Sequence, residues 1–572
     1  MSETNALMAQ SGFWLHPSIV LLLGALIIPL LKGVAQQSYR IALALVFIFL
    51  VFQTSIGIHG QFEVNGLEII TGRADKLSLV FAYVFSLITL IATIYSLHVK
   101  DNIQHVTAFI YAAAATGVAF AGDLITLYVF WEMMMLASVW LIWRRQSATS
   151  YASGYRYLLV HAVSGVTLLG GIVLLYSQTG SLAFEQMRAD NLAVYLILIG
   201  FLINAAVPPL HAWLPDAYPE ATITGAIFLS ALTTKTAVYT LLRGFPGTEF
   251  LIWMGVVMAL WGVIYAALVN DIRRLLAYHI ISQVGYMVAG VGMGTAMAIN
   301  GSAAHAFTHI LYKAVLFMGA GAVIYMTGKS KVTELGGLYK YMPLTFLLYM
   351  VGAFSISSFP LFSGFVSKTM ILEAAALDRM ALAWLLLTMA GVGTFISTGL
   401  KLPYFVFFAK DSGLRPKEAP WNMILAMGIA AFFCFFIGVY PTWLYNFLPE
   451  QPVNYNAFSL GHLYWEMQLL LFTALGFFLL LKYLAGVPKT SVDTDWVYRK
   501  AGPVIYQKLA ALVRTTWRGF IDGSIGLMRR FWESLGQTYG SRGPIGQTWS
   551  IGLTTIWVFL LVALYGLYIV LF

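Results

Sequence analysis

Six ionisable residues lie inside long apolar runs of the sequence, where a charge is costly. They are Glu132, Lys235, His305, His309, Lys313 and Lys368. Ionisable groups within a bilayer usually face one another or a water-filled cavity, and they mark paths for ions or protons. Carboxylate, amine and imidazole groups also take up and release protons. The sequence therefore predicts a proton relay within a membrane-spanning domain.

Glu132 and Lys368 each have a structural alternative. Glu132 lies in the middle of the run LITLYVFWEMMMLASVWLIW, and Lys368 lies in SSFPLFSGFVSKTMILEAAA, just after a predicted helix break. The alternatives are a protonated Glu132 that bonds a neighbouring helix and a Lys368 that reaches the interface from a helix end. We favour proton transfer for both, because intramembrane ionisable groups are costly to keep.

Lys235 lies near the middle of its predicted span, too far from the interface for its side chain to reach bulk water. Threonines precede and follow it in the run SALTTKTAVYT. Their hydroxyl groups can solvate the amine or hold a chain of water molecules. A lysine in apolar surroundings also loses its proton more easily than one in water. The run therefore predicts a lysine that relays protons.

His305, His309 and Lys313 recur every four residues and so stack on one face of a helix. Histidines in series can pass a proton, although core histidines are the ordinary alternative. A metal site would need a third ligand, and the spacing HxxxH lacks the glutamate of HExxH. Haem ligation would need histidines on facing helices. The spacing therefore predicts a relay, with no metal and no cofactor.

A second set of polar residues has weaker evidence and is predicted to be accessory. Single histidines are usually structural, Asp216 either lines a path or caps a helix, and Lys401 lies near a span end. Glu466, in HLYWEMQ, is predicted to lie at the membrane interface. The accessory candidates are His161, Asn204, His211, Asp216, His279 and Lys401.

The composition predicts an all-α polytopic membrane protein. Of the 572 residues, 60% are hydrophobic and 10% are charged, and the mean hydropathy is +0.80. Continuous apolar runs of about 20 residues, the length that crosses a bilayer, recur along nearly the whole chain. We expect roughly sixteen spans, among them 40–59 and 222–243.

Two predicted spans are interrupted. The seventh breaks at Pro208-Pro209 before the helix of Lys235, and the twelfth breaks around Pro360 before Lys368. Interrupted helices in corresponding positions indicate an inverted-repeat transporter. Five spans separate the two breaks, so the two copies would have opposite topology.

The charges predict an orientation and exclude several protein classes. Lysines and arginines are most frequent in the loops after odd-numbered spans, which places those loops in the cytoplasm and the N-terminus outside. The N-terminal residues lack the features of a cleaved signal peptide. A net charge of +9 then reflects loops rather than nucleic-acid binding. The single cysteine, Cys434, excludes an internal disulfide and a cysteine-ligated cluster, and no nucleotide fingerprint is present.

Several ordered motifs identify a family. The sequence resembles the proton-conducting antiporter family shared by complex I (NADH–quinone oxidoreductase) and the Mrp-type cation/proton antiporters, over roughly residues 70–410. Residues 200–243 are most similar to the D-type chains of the Mrp antiporters. The motifs are FWEMM around Glu132, AAVPPLHAWLPDA at 205–217, LLAYHIISQVGYM at 275–287, HAFTHILYKAVLF at 305–317 and FPLFSGFVSK at 359–368.

The resemblance implies about fourteen core helices with two inverted five-helix repeats, a hydrated axis at mid-membrane and partner subunits in the cell inner (plasma) membrane. It implies that the six relay residues pass protons along this axis. The predicted segments are N-terminal helices (1–100), a first repeat (101–250), a second repeat (251–410), C-terminal helices (411–484), a basic segment (485–548) and a final helix (549–572), and the last two lie beyond the core that the resemblance covers. The basic segment is predicted to be an amphipathic helix at the membrane surface or against a partner, or alternatively a linker to the last helix.

One position departs from the family pattern. A lysine usually precedes the proline turn of the seventh helix and pairs with the glutamate of the fifth, but here the position holds Asn204. Asparagine cannot be a cation. Either Lys235 becomes the partner of Glu132, or this half of the path works differently.

These observations predict a membrane subunit of a multisubunit monovalent cation (Na+)/proton antiporter that is not an enzyme on its own. The closest alternative is a proton-pumping subunit of an NADH–quinone oxidoreductase or related redox complex. A third is a membrane scaffold of an uptake complex without transport of its own. The expected partners of the chain are other membrane subunits, protons, Na+ and lipid, with no nucleic acid.

Overall fold

The computed structural model describes residues 14–484, 493–541 and 543–571. The chain forms two compact units, the first ending at Asp495 and the second beginning at Trp496. Each unit is predominantly helical, which confirms the predicted fold class. Twelve helices of the described residues are long and apolar enough to cross a membrane, and three shorter apolar helices accompany them.

The first unit contains most of these helices. Its elements, in chain order, are α1 (Pro17–Ile27), α2 (Gly33–Gln53), β1 (Gly57–Val64), β2 (Leu67–Ala74), α3 (Lys76–Tyr95), α4 (Asn102–Phe120), α5 (Leu124–Trp143), α6 (Ala148–Thr179), α7 (Leu192–Asn204), α8 (Trp213–Ala217), α9 (Gly225–Ala231), α10 (Thr233–Gly244), α11 (Phe250–Leu268), α12 (Ile272–Met293), α13 (Ala296–Thr327), α14 (Pro343–Ile356), α15 (Ser363–Leu377), α16 (Ala381–Thr394), α17 (Trp421–Val439), α18 (Thr442–Tyr445), α19 (Leu460–Leu479) and α20 (Leu481–Leu484).

A short antiparallel hairpin interrupts the helices near the N-terminus. β1 and β2 pair with Val64 opposite Leu67, and the turn between them is Asn65-Gly66. Both turn residues have positive φ, as a two-residue hairpin turn requires. The predicted span 40–59 is therefore wrong at its ends, because α2 runs from Gly33 to Gln53 and β1 follows.

Helix α13 is the buried centre of the first unit. It packs against α3, α9, α12, α14, α15 and α17. All residues from Ala298 to Val323 are buried, and they include the predicted relay residues of this helix. The hydrophobic effect alone does not explain that pattern, because polar side chains on α13 are as deeply buried as apolar ones.

Three spans are interrupted beside this centre. The seventh ends its first half at Asn204 and resumes as α8, and the twelfth is divided into α14 and α15. Both breaks lie where Pro208-Pro209 and Pro360 predict them. A third break, between α9 and α10 at Leu232, divides the predicted span 222–243 and was not expected.

The second unit consists of two long helices. α21 (Gly502–Tyr539) has 38 residues, none of them buried within the unit. α22 (Ile551–Leu571) is apolar throughout and also exposed. α21 lies within the segment that the sequence predicts to be an amphipathic helix. Its predicted position at the membrane surface or against a partner stays a prediction.

Candidate functional site

Lys235 is held at the unexpected break of the eighth span. Its side chain is fully buried. The Nζ atom donates to the Ser230 carbonyl at 2.7 Å and to Thr234 Oγ1 at 3.0 Å. Ser230 precedes the break at Leu232 and Thr234 follows it, so the break supplies oxygen atoms from both sides. These oxygens replace part of the hydration that the amine loses on burial.

The Lys235 amine has no direct contact with Glu132. No ion pair joins the two residues among the described part of the chain, and Glu132 Oε1 is a buried atom without a hydrogen-bond partner there. Lys235 is therefore not a direct partner of Glu132 in this structure. Any proton exchange between them requires intervening water or side chains.

His305 connects α13 to two neighbouring helices. Its Nδ1 lies 3.1 Å from Ser367 Oγ on α15, and its Nε2 lies 3.2 Å from Gln283 Oε1 on α12. The Tyr312 hydroxyl is a further 3.3 Å neighbour of Nε2. These contacts fix the ring position and place Gln283 in the site. Sequence reasoning missed Gln283, although it lies in the quoted motif LLAYHIISQVGYM, four residues after His279.

His309 and Lys313 continue the same face of α13 without polar contacts. Both ring nitrogens of His309 and the Lys313 Nζ are buried and have no hydrogen-bond partner among the described residues. The His305 and His309 ring centroids are 6.2 Å apart, and the Lys313 amine lies 5.9 Å from the Phe317 ring. Buried polar atoms are rarely left unpaired, and ordered water commonly satisfies them. This face is therefore suited to hold water between its ionisable groups.

Lys368 lies directly after the break between α14 and α15. The Nζ atom donates to the Ile356 carbonyl, the last residue of α14, at 3.3 Å. It also lies 5.5 Å from the centre of the Tyr286 ring. Lys368 is thus solvated in the same way as Lys235, by a carbonyl group that a helix break exposes.

His279 and Lys401 meet an irregular helix. Residues Phe395–Lys401 form a π-helical continuation of α16, a conformation that is frequent at functional sites. His279 Nε2 lies 2.7 Å from Ser397 Oγ, and Lys401 Nζ donates to the Ala267 carbonyl at 2.6 Å. Lys401 is buried rather than at a solvated span end. Both accessory residues therefore adjoin the side of the unit that holds Lys368.

Within the described residues, Glu132 forms no ion pair with a lysine. Glu132 Oε1 packs so closely against Gly165 on α6 that an added Cβ would lie 1.8 Å from it. Ser164, the preceding residue, donates to the Gly200 carbonyl on α7 at 2.8 Å. Glu132 therefore lies where α6 and α7 cross.

His161 and Asn204 occupy facing positions at the same crossing. α6 and α7 are antiparallel, so the residue three before Ser164 faces the residue four after Gly200. Trp213 confirms this register, because its ring lies 4.4 Å from His161 while its Nε1 donates to the Ile203 carbonyl. His161 Nε2 and Asn204 Oδ1 are buried without partners among the described residues. An imidazole and an amide thus stand where relatives of this family are expected to hold a lysine.

His211 and Asp216 lie after the break of the seventh span. Asp216 accepts two hydrogen bonds from Arg156, at 2.6 and 2.9 Å. His211 Nε2 lies 3.2 Å from Asp493 Oδ2, and the Tyr278 hydroxyl donates to the same oxygen at 2.6 Å. Asp216 and His211 are therefore held by charged or polar partners away from the α13 face.

Asp493 was not predicted and lies near the end of the first unit. Burial raises the pKa of its carboxyl group, but hydrogen bonds from His211, Tyr278 and the Thr494 amide outweigh burial and leave the pKa below its ordinary 3.8. A carboxylate that accepts several hydrogen bonds stays ionised. The residue therefore fixes the segment before the second unit to α12 and to the seventh-span break.

Among the described residues, no group of three or more His, Cys, Asp or Glu side chains is arranged to hold a metal ion. The polar groups that converge on the α13 face are instead amines, imidazoles, hydroxyls and one amide. This arrangement can bind water and exchange protons.

The family model described as NADH:quinone oxidoreductase/Mrp antiporter, TM, matches residues 121–397. An uncharacterized protein of Methanocaldococcus jannaschii is 30% identical over 387 residues, which cover 62% of this chain and 79% of that protein. The D-type subunit of the Na(+)/H(+) antiporter of Alkalihalophilus pseudofirmus is 32% identical over 325 residues, covering 53% of this chain and 65% of the relative. The chain spans 52% of the length of the A-type subunit from the same organism.

Solved structures share the fold. A chain of the membrane-bound sulfane sulfur reductase, an archaeal respiratory membrane complex, superposes with a TM-score of 0.70 at 22% identity, covering 96% of this chain and 99% of its own. The Mrp complex from Dietzia sp. gives 0.67 at 23% identity, with coverage of 76% and 95%. Respiratory complex I from Thermus thermophilus gives 0.65 at 22% identity, with coverage of 74% and 97%.

The alignment with the archaeal relative, over 387 residues, is longer than the match to the family model at residues 121–397. The identity to the archaeal relative, taken with the family match and the shared fold, confirms the resemblance seen in the sequence motifs. This chain belongs to the NADH:quinone oxidoreductase/Mrp antiporter family of membrane proteins.

Proposed function

We propose that the chain is a membrane subunit of a multisubunit monovalent cation (Na+)/proton antiporter and conducts protons across the membrane. The observation that supports this most directly is the buried face of α13. There His309 and Lys313 carry unpaired nitrogen atoms at the centre of the first unit. Such groups are expensive to bury. Proton exchange with water gives a reason for keeping them.

The proposed path has an order that follows the helix breaks. Protons reach Lys235 from Glu132 through water and then pass through His305, His309 and Lys313 of α13 to Lys368. Oxygen atoms at the breaks solvate the two terminal lysines. Each lysine can therefore carry a charge for part of the cycle without a permanent counter-ion.

The accessory residues act at the edges of this path. His161 and Asn204 line the crossing of α6 and α7 beside Glu132, and His279 and Lys401 adjoin the π-helical segment. His211 and Asp216 hold the seventh-span break in place. The supporting observations are the contacts that fix the side chains of His161, His279, Lys401 and Asp216.

The choice of Na+, of partners and of membrane is part of the proposal. Relatives named as components of Na(+)/H(+) antiporters support the cation and the presence of other membrane subunits. The proposed location is the cell inner (plasma) membrane with the N-terminus outside, because of the distribution of basic loops.

The central test uses the whole complex in everted membrane vesicles. Glu132→Gln and Lys235→Ala are expected to lower Na+-driven proton movement by about 100-fold, the range lost when a proton-transfer group is removed. Glu249→Gln removes an exposed loop carboxylate and serves as the matched control. Co-purification of the other subunits checks assembly. The proposal is wrong if both variants assemble and move protons as the wild type does.

A second candidate function is proton pumping within a redox complex. It is supported by the sulfane sulfur reductase chain, whose match covers 96% of this chain and so includes the second unit. Under this alternative, proton movement follows addition of an electron donor rather than a Na+ gradient. Co-purification of flavin or iron–sulfur subunits would separate the two, while a passive scaffold would show flux in neither assay.

A further inference from the structure

A buried carboxylate adjoins Lys368 from outside the part of the chain that the family model matches. Glu466 lies on α19, about 70 residues after the match ends at residue 397. Only 6% of Glu466 is exposed. Its burial by the protein was not predicted, while its position at the membrane interface stays a prediction. A carboxylate is costly to bury without a cation or a hydrogen-bond donor nearby, so its surroundings need an explanation.

Glu466 and Lys368 line one small cavity. The cavity measures about 20 Å³ and is enclosed by α15, α16 and α19, with Gly391 on its α16 wall. This volume accommodates about one water molecule. No ion pair joins Lys368 directly to Glu466 among the described residues. A single water between the amine and the carboxylate would connect them.

A histidine lies one helical turn from Glu466. His462 Nε2 is 3.9 Å from Glu466 Oε1, and the side chain of His462 is 20% exposed compared with 8% for Glu466. Its Nδ1 lies 2.7 Å from the Ala457 carbonyl, and Phe365 stacks on the ring at 4.9 Å. The ring is thus held between the buried carboxylate and the surface.

Exposure increases in order along these three groups. Lys368 is 3% exposed, Glu466 lies next to it across the cavity, and His462 reaches the end at which α19 begins. The remaining ionisable neighbours do not fit this series. Glu373 on α15 is exposed, and the Tyr455 hydroxyl donates to Thr369 Oγ1 at 2.7 Å.

We propose that Glu466 and His462 extend the proton path from Lys368 to the membrane surface where α19 begins. The Lys368 ammonium releases a proton through the cavity water to the Glu466 carboxylate and becomes a neutral amine. The Glu466 carboxyl group then passes the proton to His462 Nε2, and the imidazolium releases a proton to solvent. The next proton from α13 restores the Lys368 ammonium. This step rests on the proposed function, because it needs protons delivered to Lys368.

A structural role for Glu466 makes different predictions. If Glu466 only balances the charge of Lys368, removing the exposed carboxylate of Glu373 on the same helix as Lys368 would have a similar though weaker effect. His462 would then be irrelevant to flux. If Glu466 transfers protons, its ability to be protonated is essential and His462 sets the pH dependence of release.

The test measures proton movement by the assembled complex in vesicles over a range of pH at the release side. Glu466→Gln is expected to lower flux at least about tenfold, Glu466→Asp to retain much of it, and His462→Gln to alter its pH profile. Glu373→Gln is the matched control and is expected to behave as wild type. Lys235→Ala is measured in parallel to test delivery to Lys368.

A second variant tests the water without changing any charge. A Cβ added at Gly391 would lie 3.5 Å from the Tyr286 hydroxyl and 3.9 Å from Lys368 Nζ, both ordinary contacts. Gly391→Ala should therefore assemble, fill part of the cavity and lower flux severalfold. This variant decides the question if Glu466→Gln fails to assemble.

The outcomes separate this inference from the proposed function. Suppose that Lys235→Ala abolishes proton flux while Glu466→Gln stays within twofold of wild type. The proposed exit through Glu466 and His462 is then wrong, and the proposed relay up to Lys368 stands. If Glu466→Gln does not assemble, Gly391→Ala takes its place in this comparison. Equal losses in Glu466→Gln and Glu373→Gln would also overturn the exit, because a field effect would explain them. If Lys235→Ala keeps normal flux, the relay itself is refuted, and the exit with it.

Discussion

Gly165→Ala tests whether the exact position of Glu132 matters. An alanine Cβ at this site would lie 1.8 Å from Glu132 Oε1 and 2.8 Å from its Cδ. Carbon and oxygen in van der Waals contact are separated by about 3.5 Å, so the carboxyl group must move by roughly 1.5 Å. The displaced atoms are the far end of a flexible side chain. The free energy of unfolding should therefore fall by only about 1 kcal/mol, at the low end of overpacking costs.

The functional effect should be much larger than the effect on stability. A misplacement of about 1 Å can cost about 100-fold in a step that depends on geometry. We therefore expect proton flux in vesicles to fall by one to two orders of magnitude while the complex still assembles. Gly170→Ala, on the same helix, is the matched control because nothing lies within 4 Å of its added Cβ.

One combination of results would refute this reasoning. If Glu132→Gln abolishes flux but Gly165→Ala does not change it, the carboxyl group is needed without being held in place. Water would then reach it over a range of positions. The tight contact between Glu132 and α6 would be packing rather than part of the path.

Three further perturbations have expected results. Thr234→Val removes one of the two oxygen atoms that accept hydrogen bonds from Lys235, which costs about 1 kcal/mol, and flux should fall severalfold, less than in Lys235→Ala, in the same vesicle assay. Gln283→Leu leaves His305 without its α12 partner, and we expect at least a tenfold loss that Gln283→Glu partly avoids. Asp493→Asn weakens the attachment of the segment before the second unit by about 1–3 kcal/mol, which hydrogen exchange should detect. Folding lowers the pKa of the Asp493 carboxyl group. Its contribution to stability is therefore present above the ordinary pKa of 3.8 and is lost as the pH falls through the lower pKa of the folded state. Protection from hydrogen exchange that persists unchanged at still lower pH would contradict this assignment.

The sequence predicted the interruptions that carry a chemical marker. Pro208-Pro209 and Pro360 mark breaks because proline removes a donor and disfavours helix at the preceding residue. The Leu232 break has no such marker. There the Thr233 amide donates to the Tyr111 hydroxyl at 3.0 Å, so a residue more than a hundred positions away replaces a helical hydrogen bond. Local patterns cannot reveal a break that a distant side chain makes.

The N-terminal hairpin shows a different kind of error. Hydrophobicity alone extended the second span to residue 59, although Asn65-Gly66 between two short apolar runs is a strong hairpin signal. The signal was present and was outweighed by the high hydropathy of the whole chain. Turn chemistry should therefore be weighed separately from hydropathy in a protein of this composition.

The burial of the proposed relay residues could be predicted from the sequence, but their contacts could not. Burial of Lys235, His305, His309 and Lys313 follows from their position in apolar runs. The burial of Glu466 was not predicted, because it lies near the start of its span, where a carboxylate ordinarily meets water. Only the packing of α19 on α15 and α16 brings it to the Lys368 cavity. That arrangement joins residues about a hundred positions apart and leaves no periodic signal.

The two halves of the path differ in a way that bears on how it works. In the first half, Asn204 stands at the position where the resemblance implies a lysine, and Glu132 Oε1 has no hydrogen-bond partner among the described residues. In the second half, Lys368 shares a cavity with a carboxylate that lies beyond the matched family core. A carboxylate and a lysine thus share a cavity at the Lys368 end, whereas Glu132 forms no ion pair with a lysine among the described residues. A single mechanism shared by both halves would not explain this difference between Glu132 and Lys368. The asymmetry instead suits a chain in which the Glu132 carboxylate takes up a proton and becomes a neutral carboxyl group, while Lys368 releases a proton through the Glu466 carboxylate.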